Sequence, residues 1–144
     1  MTFHPYLSAA TAAALIFTSS LAFAYEPSVE KTQGEITYIT GGIGERETEA
    51  LRAERSKYDL RVINAGKKGA FLGEAHLVIR DAHDKELLNT TVGPLFYANL
   101  PDGKYVVEVE NQEEAKTKKQ SVDVKSGKQA TLRFVWKAAD ETTK

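Results

Sequence analysis

The chain has 144 residues, with 19 basic and 20 acidic side chains, three histidines and no cysteine. A net charge of −1 supplies no basic excess, which argues against a nucleic-acid binder. The lack of cysteine excludes a disulfide framework and a lipid-modified thiol, so the core must hold the fold alone.

No acidic or basic side chain occurs before Glu26, and Ala9 to Ala24 reads AATAAALIFTSSLAFA. The run closes on Ala22-Phe23-Ala24, an A-x-A cleavage pattern, so residues 1–24 are read as a signal peptide cleaved after Ala24. It is shorter and more broken by Ser and Thr than the roughly 20 apolar residues of a spanning helix. The expectation is a periplasmic or secreted product with no stable membrane insertion after cleavage.

Residues 25–34, YEPSVEKTQG, are polar and aperiodic and read as a flexible leader. Glu35–Thr40 is β-prone and stops at Gly41-Gly42, which predicts a short strand. Glu45, Glu47 and Glu49 then precede Arg52, Arg55 and Lys57, the charge order a helix dipole favours. One helix is predicted over Glu45–Lys57, packed on a sheet.

Beyond it, Leu60 and Val62 share a parity, and Gly66-Lys67-Lys68-Gly69 reads as a turn. Ala75, Leu77 and Ile79 alternate with His76, Val78 and Arg80. Asp81–Lys85 is a polar turn, Glu86–Val92 a return strand, Gly93-Pro94 a break, and Leu95–Leu100 another strand. In Leu100-Pro101-Asp102-Gly103-Lys104-Tyr105, Pro101 presets φ and Gly103 is expected at positive φ, which would make Gly103→Val costly. Tyr105 is expected to bury its ring beneath this turn and to bond its hydroxyl to backbone. Tyr105, Val107 and Val109 share one face, and so do Leu132, Phe134 and Trp136. Asn111–Lys119 reads as a charged hairpin tip in which Lys118-Lys119 face Glu113-Glu114. Ser121–Val124 is its return strand, and residues 138–144 form a polar tail. Turns every eight to twelve residues after a single helix predict a mainly β fold. The specific expectation is an antiparallel Greek-key β-sandwich of about seven strands with one N-terminal helix, occupying residues 35–137.

From Gly69 onward the order of residues resembles the carboxypeptidase regulatory-like domain, a transthyretin-like (prealbumin-like) sandwich. Leu72-Gly73-Glu74-Ala75 matches its small-residue opening, and His76–Asp81 its alternating strand ending in Asp. Gly93-Pro94-Leu95-Phe96 then precedes its L-P-x-G-x-Y motif, here Leu100, Pro101, Gly103 and Tyr105. The likeness covers residues 69–137. It departs where His83-Asp84 replace the usual turn glycine. The Gly41-Gly42-Ile43-Gly44-Glu45 element and its helix lie outside the common module and resemble the extension of a set of small exported bacterial proteins. The resemblance implies a module that does no chemistry itself. The transthyretin-related 5-hydroxyisourate hydrolase ends in Y-R-G-S, whereas this chain ends ADETTK.

His76 and His83 lie seven apart, and Asp81, His83 and Asp84 are the nearest approach to a ligand set, without the spacing of a zinc site. Gly41, Gly42 and Gly44 precede a helix start, which attracts anions, but Glu45 and Glu47 occupy that end and no G-K-[ST] follows. Lys67 and Lys68 with Lys116, Lys118 and Lys119 read as charges that keep loops and sheet edges soluble. The expectation is a non-catalytic exported binding or interaction module of the bacterial cell envelope, with no cofactor. Its partner would be an envelope protein or glycan, met at Gly41, Gly42, Gly44, Lys67 and Lys68. The alternative is a small-molecule, glycan or divalent-ion binder, or an enzyme with a carboxylate-based site.

Overall fold

The structure, a computed structural model, describes residues 29–67 and 73–137. The signal-peptide reading, the polar tail and Lys68 lie outside the described residues. Among those residues no helix is long and apolar enough to cross a membrane.

Nine strands form among the described residues, in two sheets. The larger sheet has the order β1-β2-β6-β3-β9, from Lys31–Gln33, Ile36–Gly41, Leu95–Asn99, Leu60–Gly66 and Ala130–Trp136. The smaller has the order β5-β4-β7-β8, from Glu86–Val92, Ala75–Asp81, Gly103–Asn111 and Lys116–Val124. The chain changes sheet at the β3–β4, β5–β6, β6–β7 and β8–β9 connections. The expected β-sandwich is therefore present.

Period-two alternation builds the core between the sheets. Leu60 and Val62, Phe96 and Ala98, and Leu132, Phe134 and Trp136 point inward from the larger sheet. They meet Leu77 and Ile79, Tyr105, Val107 and Val109 from the smaller one. Tyr38 stacks on Phe96 with ring centroids 5.6 Å apart. A helix, α1 (Glu45–Glu54), covers the outer face of the larger sheet and continues as a 3₁₀ turn at Arg55–Lys57. Beneath it lies a second apolar cluster of Ile39, Leu51, Tyr58, Ile63, Ala65, Leu95 and Tyr97. β3 and β6 are thus covered on both faces, and every position but Arg61 in β3 and Asn99 in β6 is buried.

Side chains close both open corners of the sandwich. At one, Lys118 and Gln120 of β8 donate to the Val135 and Arg133 carbonyls on the free edge of β9. At the other, the Gln33 Oε1 accepts from Asn89 N–H at 3.0 Å, and Thr40 Oγ1 accepts from Gly93 N–H while donating to Leu95 O. Edge groups occupied in this way are withheld from pairing with another chain.

Several sequence expectations are corrected. Lys31–Gln33, read as flexible leader, form an edge strand in register with Tyr38–Ile36. β3 and β9 pair in parallel, a relation strand patterning does not encode. The β7–β8 tip is only the four residues Gln112–Ala115, because Lys116–Lys119 already belong to β8. There Lys119 lies cross-strand from Glu108 and pairs with it at 3.2 Å. Gly103 does not adopt positive φ; it opens β7 opposite Val124, and a Cβ there would meet the Tyr105 ring at an ordinary 3.7 Å. The expected cost of Gly103→Val from backbone strain is withdrawn.

Three buried tyrosines link the fold to alkaline pH. Burial raises the Tyr58, Tyr97 and Tyr105 hydroxyls above the ordinary value, and for Tyr58 the hydrogen bond and charge of Glu30 raise it further. A group raised on folding stabilises fully below its unfolded pKa and loses that contribution as pH climbs through the folded one. The melting temperature is therefore expected to fall above pH ~10, the unfolded tyrosine value, with a shallower fall in a Tyr58→Phe/Tyr105→Phe variant. A parallel decline in both proteins would refute the assignment.

Candidate functional site

The glycine segment and α1 together make a ledge on the larger sheet. β2 ends at Gly41, after which Gly42 and Gly44 take φ of 99° and 90°, conformations that favour glycine. They turn the chain tightly enough to start α1 at Glu45 and push Ile43 outward, where it is 57% exposed. The Glu47 Oε1 accepts from Gly42 N–H at 3.0 Å, and Thr48 Oγ1 donates to Gly42 O at 3.1 Å and Gly44 O at 2.7 Å. The helix start thus uses its own carboxylate and hydroxyl to fix the loop. α1 buries only Thr48 and Leu51.

Beside this ledge lies an open cleft of about 450 Å³, lined by Gly42, Ile43, Gly44, Glu45, Thr48, Glu49, Arg52, Gly73 and Pro94. Its lining includes two carboxylates, Glu45 and Glu49, and one guanidinium, Arg52. A second cleft, of about 570 Å³, flanks the other side of α1 and includes Ala50, Ala53, Glu54, Lys57 and Glu30. There the Tyr58 hydroxyl donates to Glu30.

The remaining sequence candidates are spread apart. Lys67 is exposed at the end of β3, away from Lys116, Lys118 and Lys119 in sequence and in sheet. Lys118 is bound over the Trp136 ring, 4.7 Å from its centroid. Asp81, His83 and Asp84 share the β4–β5 turn, but the Asp81 Oδ1 is committed to backbone, accepting from His83 N–H at 2.8 Å and Lys85 N–H at 3.0 Å. The Lys85 amide is the main reason its carboxyl is held below the usual range. Asp84 takes φ of 64°, a left-handed conformation that favours glycine and that aspartate tolerates better than most residues. Among the described residues no three of His, Cys, Asp and Glu stand close enough to share a metal ion.

The L-P-x-G-x-Y turn is structural. Tyr105 is buried and its hydroxyl donates to Pro101 O at 2.5 Å, as expected. The Asp102 Oδ1 accepts from Ser126 N–H at 2.8 Å and from the Ser126 hydroxyl at 2.9 Å, tying this turn to the β8–β9 turn. Asn99 bridges the same end, accepting from Asp59 N–H and donating to Lys57 O, both at 2.9 Å. The sequence places Ile43 with Ala50, Leu51 and Ala53 on the apolar stripe of the helix, but the two positive-φ glycines that flank it turn it outward into solvent instead. Sequence reasoning missed Arg52, which the helix register turns toward the cleft.

No protein-family model matches the chain, and neither a curated protein nor a solved structure matches it.

Proposed function

We propose that the chain is an exported, non-catalytic binding module of the bacterial cell envelope that meets a protein partner through the Gly42–Arg52 ledge. The observation that carries this reading is Ile43, a large apolar side chain held 57% exposed on a loop clamped by three hydrogen bonds. An apolar anchor on a pre-organised loop loses little conformational entropy on binding, and Glu45, Glu49 and Arg52 around it form a charged rim. The resemblance of residues 69–137 to the carboxypeptidase regulatory-like domain supports a module of this kind, with the ledge as its individual addition. A protein is favoured over a glycan because all seven described aromatic residues, Tyr38, Tyr58, Phe96, Tyr97, Tyr105, Phe134 and Trp136, are buried, and sugar rings are commonly met by exposed aromatic faces.

The test is a photo-crosslinking residue at position 43, with one at Thr117 on the smaller sheet as control. A discrete protein adduct from position 43 alone is expected in envelope material. Ile43→Asp should leave the melting temperature nearly unchanged, because surface substitutions cost within about 0.5 kcal/mol. The same change should weaken capture at least about tenfold, as loss of an anchor residue does. Equal capture by Ile43→Asp and wild type would sink the assignment.

A further inference from the structure

α1 stands as a ridge on the larger sheet, with an open cleft along each flank. It buries only Thr48 and Leu51, so its other residues keep surface in contact with solvent. Ile43 belongs to one flank; the other borders the cleft of about 570 Å³ that Ala50, Ala53, Glu54 and Lys57 line. Along this second flank Arg46, Ala50 and Glu54 recur at every fourth position and so form one row on the helix surface. Arg46 is exposed, and Ala50 and Glu54 are half-buried.

This row runs against the rest of the helix. Glu45 and Glu47 in the first turn and Arg52 in the last suit the macrodipole, but Arg46 is the second residue of α1 and Glu54 its last. A base at the positive end and an acid at the negative end are each unfavourable within one chain. The row is also its own complement. Reversed, base–alanine–acid becomes acid–alanine–base, so a second copy laid antiparallel sets a glutamate beside an arginine at both ends. Each charge then lies near the pole of the other helix that suits it. A parallel pairing would set Arg46 on Arg46 and Glu54 on Glu54, which repel. At the centre Ala50 projects only a methyl group, so the two axes can approach to about 8 Å. Glu54 pairs with Lys57 at 2.6 Å, and a carboxylate has acceptor sites for a second donor.

We infer that the chain associates with a second copy of itself across the Arg46–Ala50–Glu54 row, about a two-fold axis at Ala50. In this isologous contact the helix of each copy lies along the flanking cleft of the other, and the arginine–glutamate pair forms twice. The contact lies on the flank away from Ile43, so it goes beyond the ledge reading and stands or falls separately. The ten residues of α1 span about 15 Å. The interface is therefore small, below about 1,200 Å² in total, and the dimer should be reversible with a Kd on the order of 10 μM or weaker.

Sedimentation equilibrium of the purified protein from about 1 to 500 μM, a range that brackets this Kd, should show a monomer–dimer equilibrium. Arg46→Glu and Glu54→Arg each bring like charges together and should each weaken association at least about tenfold. An equimolar mixture of the two variants re-forms both opposite-charge pairs and should dimerise again, a recovery that a misfolded variant could not give. Ile43→Asp should dimerise as the wild type does, which separates this result from the ledge experiment. A wild type that stays monomeric throughout overturns the inference and leaves this flank of α1 to a different partner or to solvent. Dimers that survive both single substitutions, or a mixture that stays monomeric, overturn it as well. Loss of the dimer in Ile43→Asp would move the contact to the ledge and likewise overturn it.

Discussion

Trp136→Ala is expected to destabilise the domain by about 3–5 kcal/mol, the range for deleting a buried aromatic ring. Trp136 is among the largest fully buried side chains, and it closes the last strand against the core. Its environment amplifies the loss. The indole Nε1 donates to Asn64 Oδ1 at 3.5 Å, Asn64 is itself fully buried, and its Nδ2 is already unpaired. Removing the ring leaves a cavity and strips Asn64 of its remaining side-chain bond. Lys118 also loses the ring it rests on, which loosens its cap on the β9 edge. Each kcal/mol is worth several degrees in a domain of this size, so thermal unfolding should shift by roughly 10 °C or more. Trp136→Phe keeps an apolar ring and should cost clearly less. A Trp136→Ala protein melting within a degree or two of wild type would show that the two sheets do not close on this residue.

Gly93→Ala is expected to cost about 2–3 kcal/mol, the upper part of the range for forced overpacking, although it adds a single methyl. A Cβ at position 93 would lie 2.5 Å from Gly41 O, 2.8 Å from Gly41 C and 2.9 Å from Gly41 Cα. These are backbone atoms and cannot swing aside. Relief requires moving the end of β2 away from Leu95, its partner in β6. That same end leads through Gly42 into α1, so the strain should reach the ledge. Hydrogen exchange at the Thr48 and Leu51 amides should quicken in Gly93→Ala. Gly73→Ala, with nothing within 4 Å of its Cβ, and Gly103→Ala, with ordinary contacts, should each stay within about 0.5 kcal/mol of wild type. If the three alanine variants were indistinguishable in urea unfolding, the close approach of β2 to the β5–β6 turn would be refuted.

The contrast between these glycines marks where sequence reading stops. L-P-x-G-x-Y correctly announces a turn and a buried tyrosine bonded back to it. It misplaces the demanding glycine, because Gly103 is already the first rung of a strand, while Gly93, in an unremarkable Gly-Pro pair, sits where two backbones touch. Turn propensity is local, but a backbone contact across 52 residues of chain, Gly41 to Gly93, is not. The candidate site divides in the same way. The glycines and the acid-before-base helix were legible as a loop and a helix start. The exposure of Ile43, and the clefts on either side of α1, appear only once the helix lies on β2, β3 and β6.

By itself the sequence determined the inward residues of nearly every strand, since side-chain direction in a strand follows a two-residue period that hydrophobicity displays directly: Leu77 and Ile79, Val107 and Val109, Phe134 and Trp136 all face the core. It also determined the helix that begins at Glu45. Only the tertiary structure decided that β3 lies between β6 and β9 with its β9 pairing parallel, that Lys31–Gln33 extend a sheet edge, and that α1 covers the outer face over Tyr97. Those relations are set by which surfaces exclude water together and which edges find partners. Such choices depend on contacts between segments far apart in the chain, and no single segment carries them.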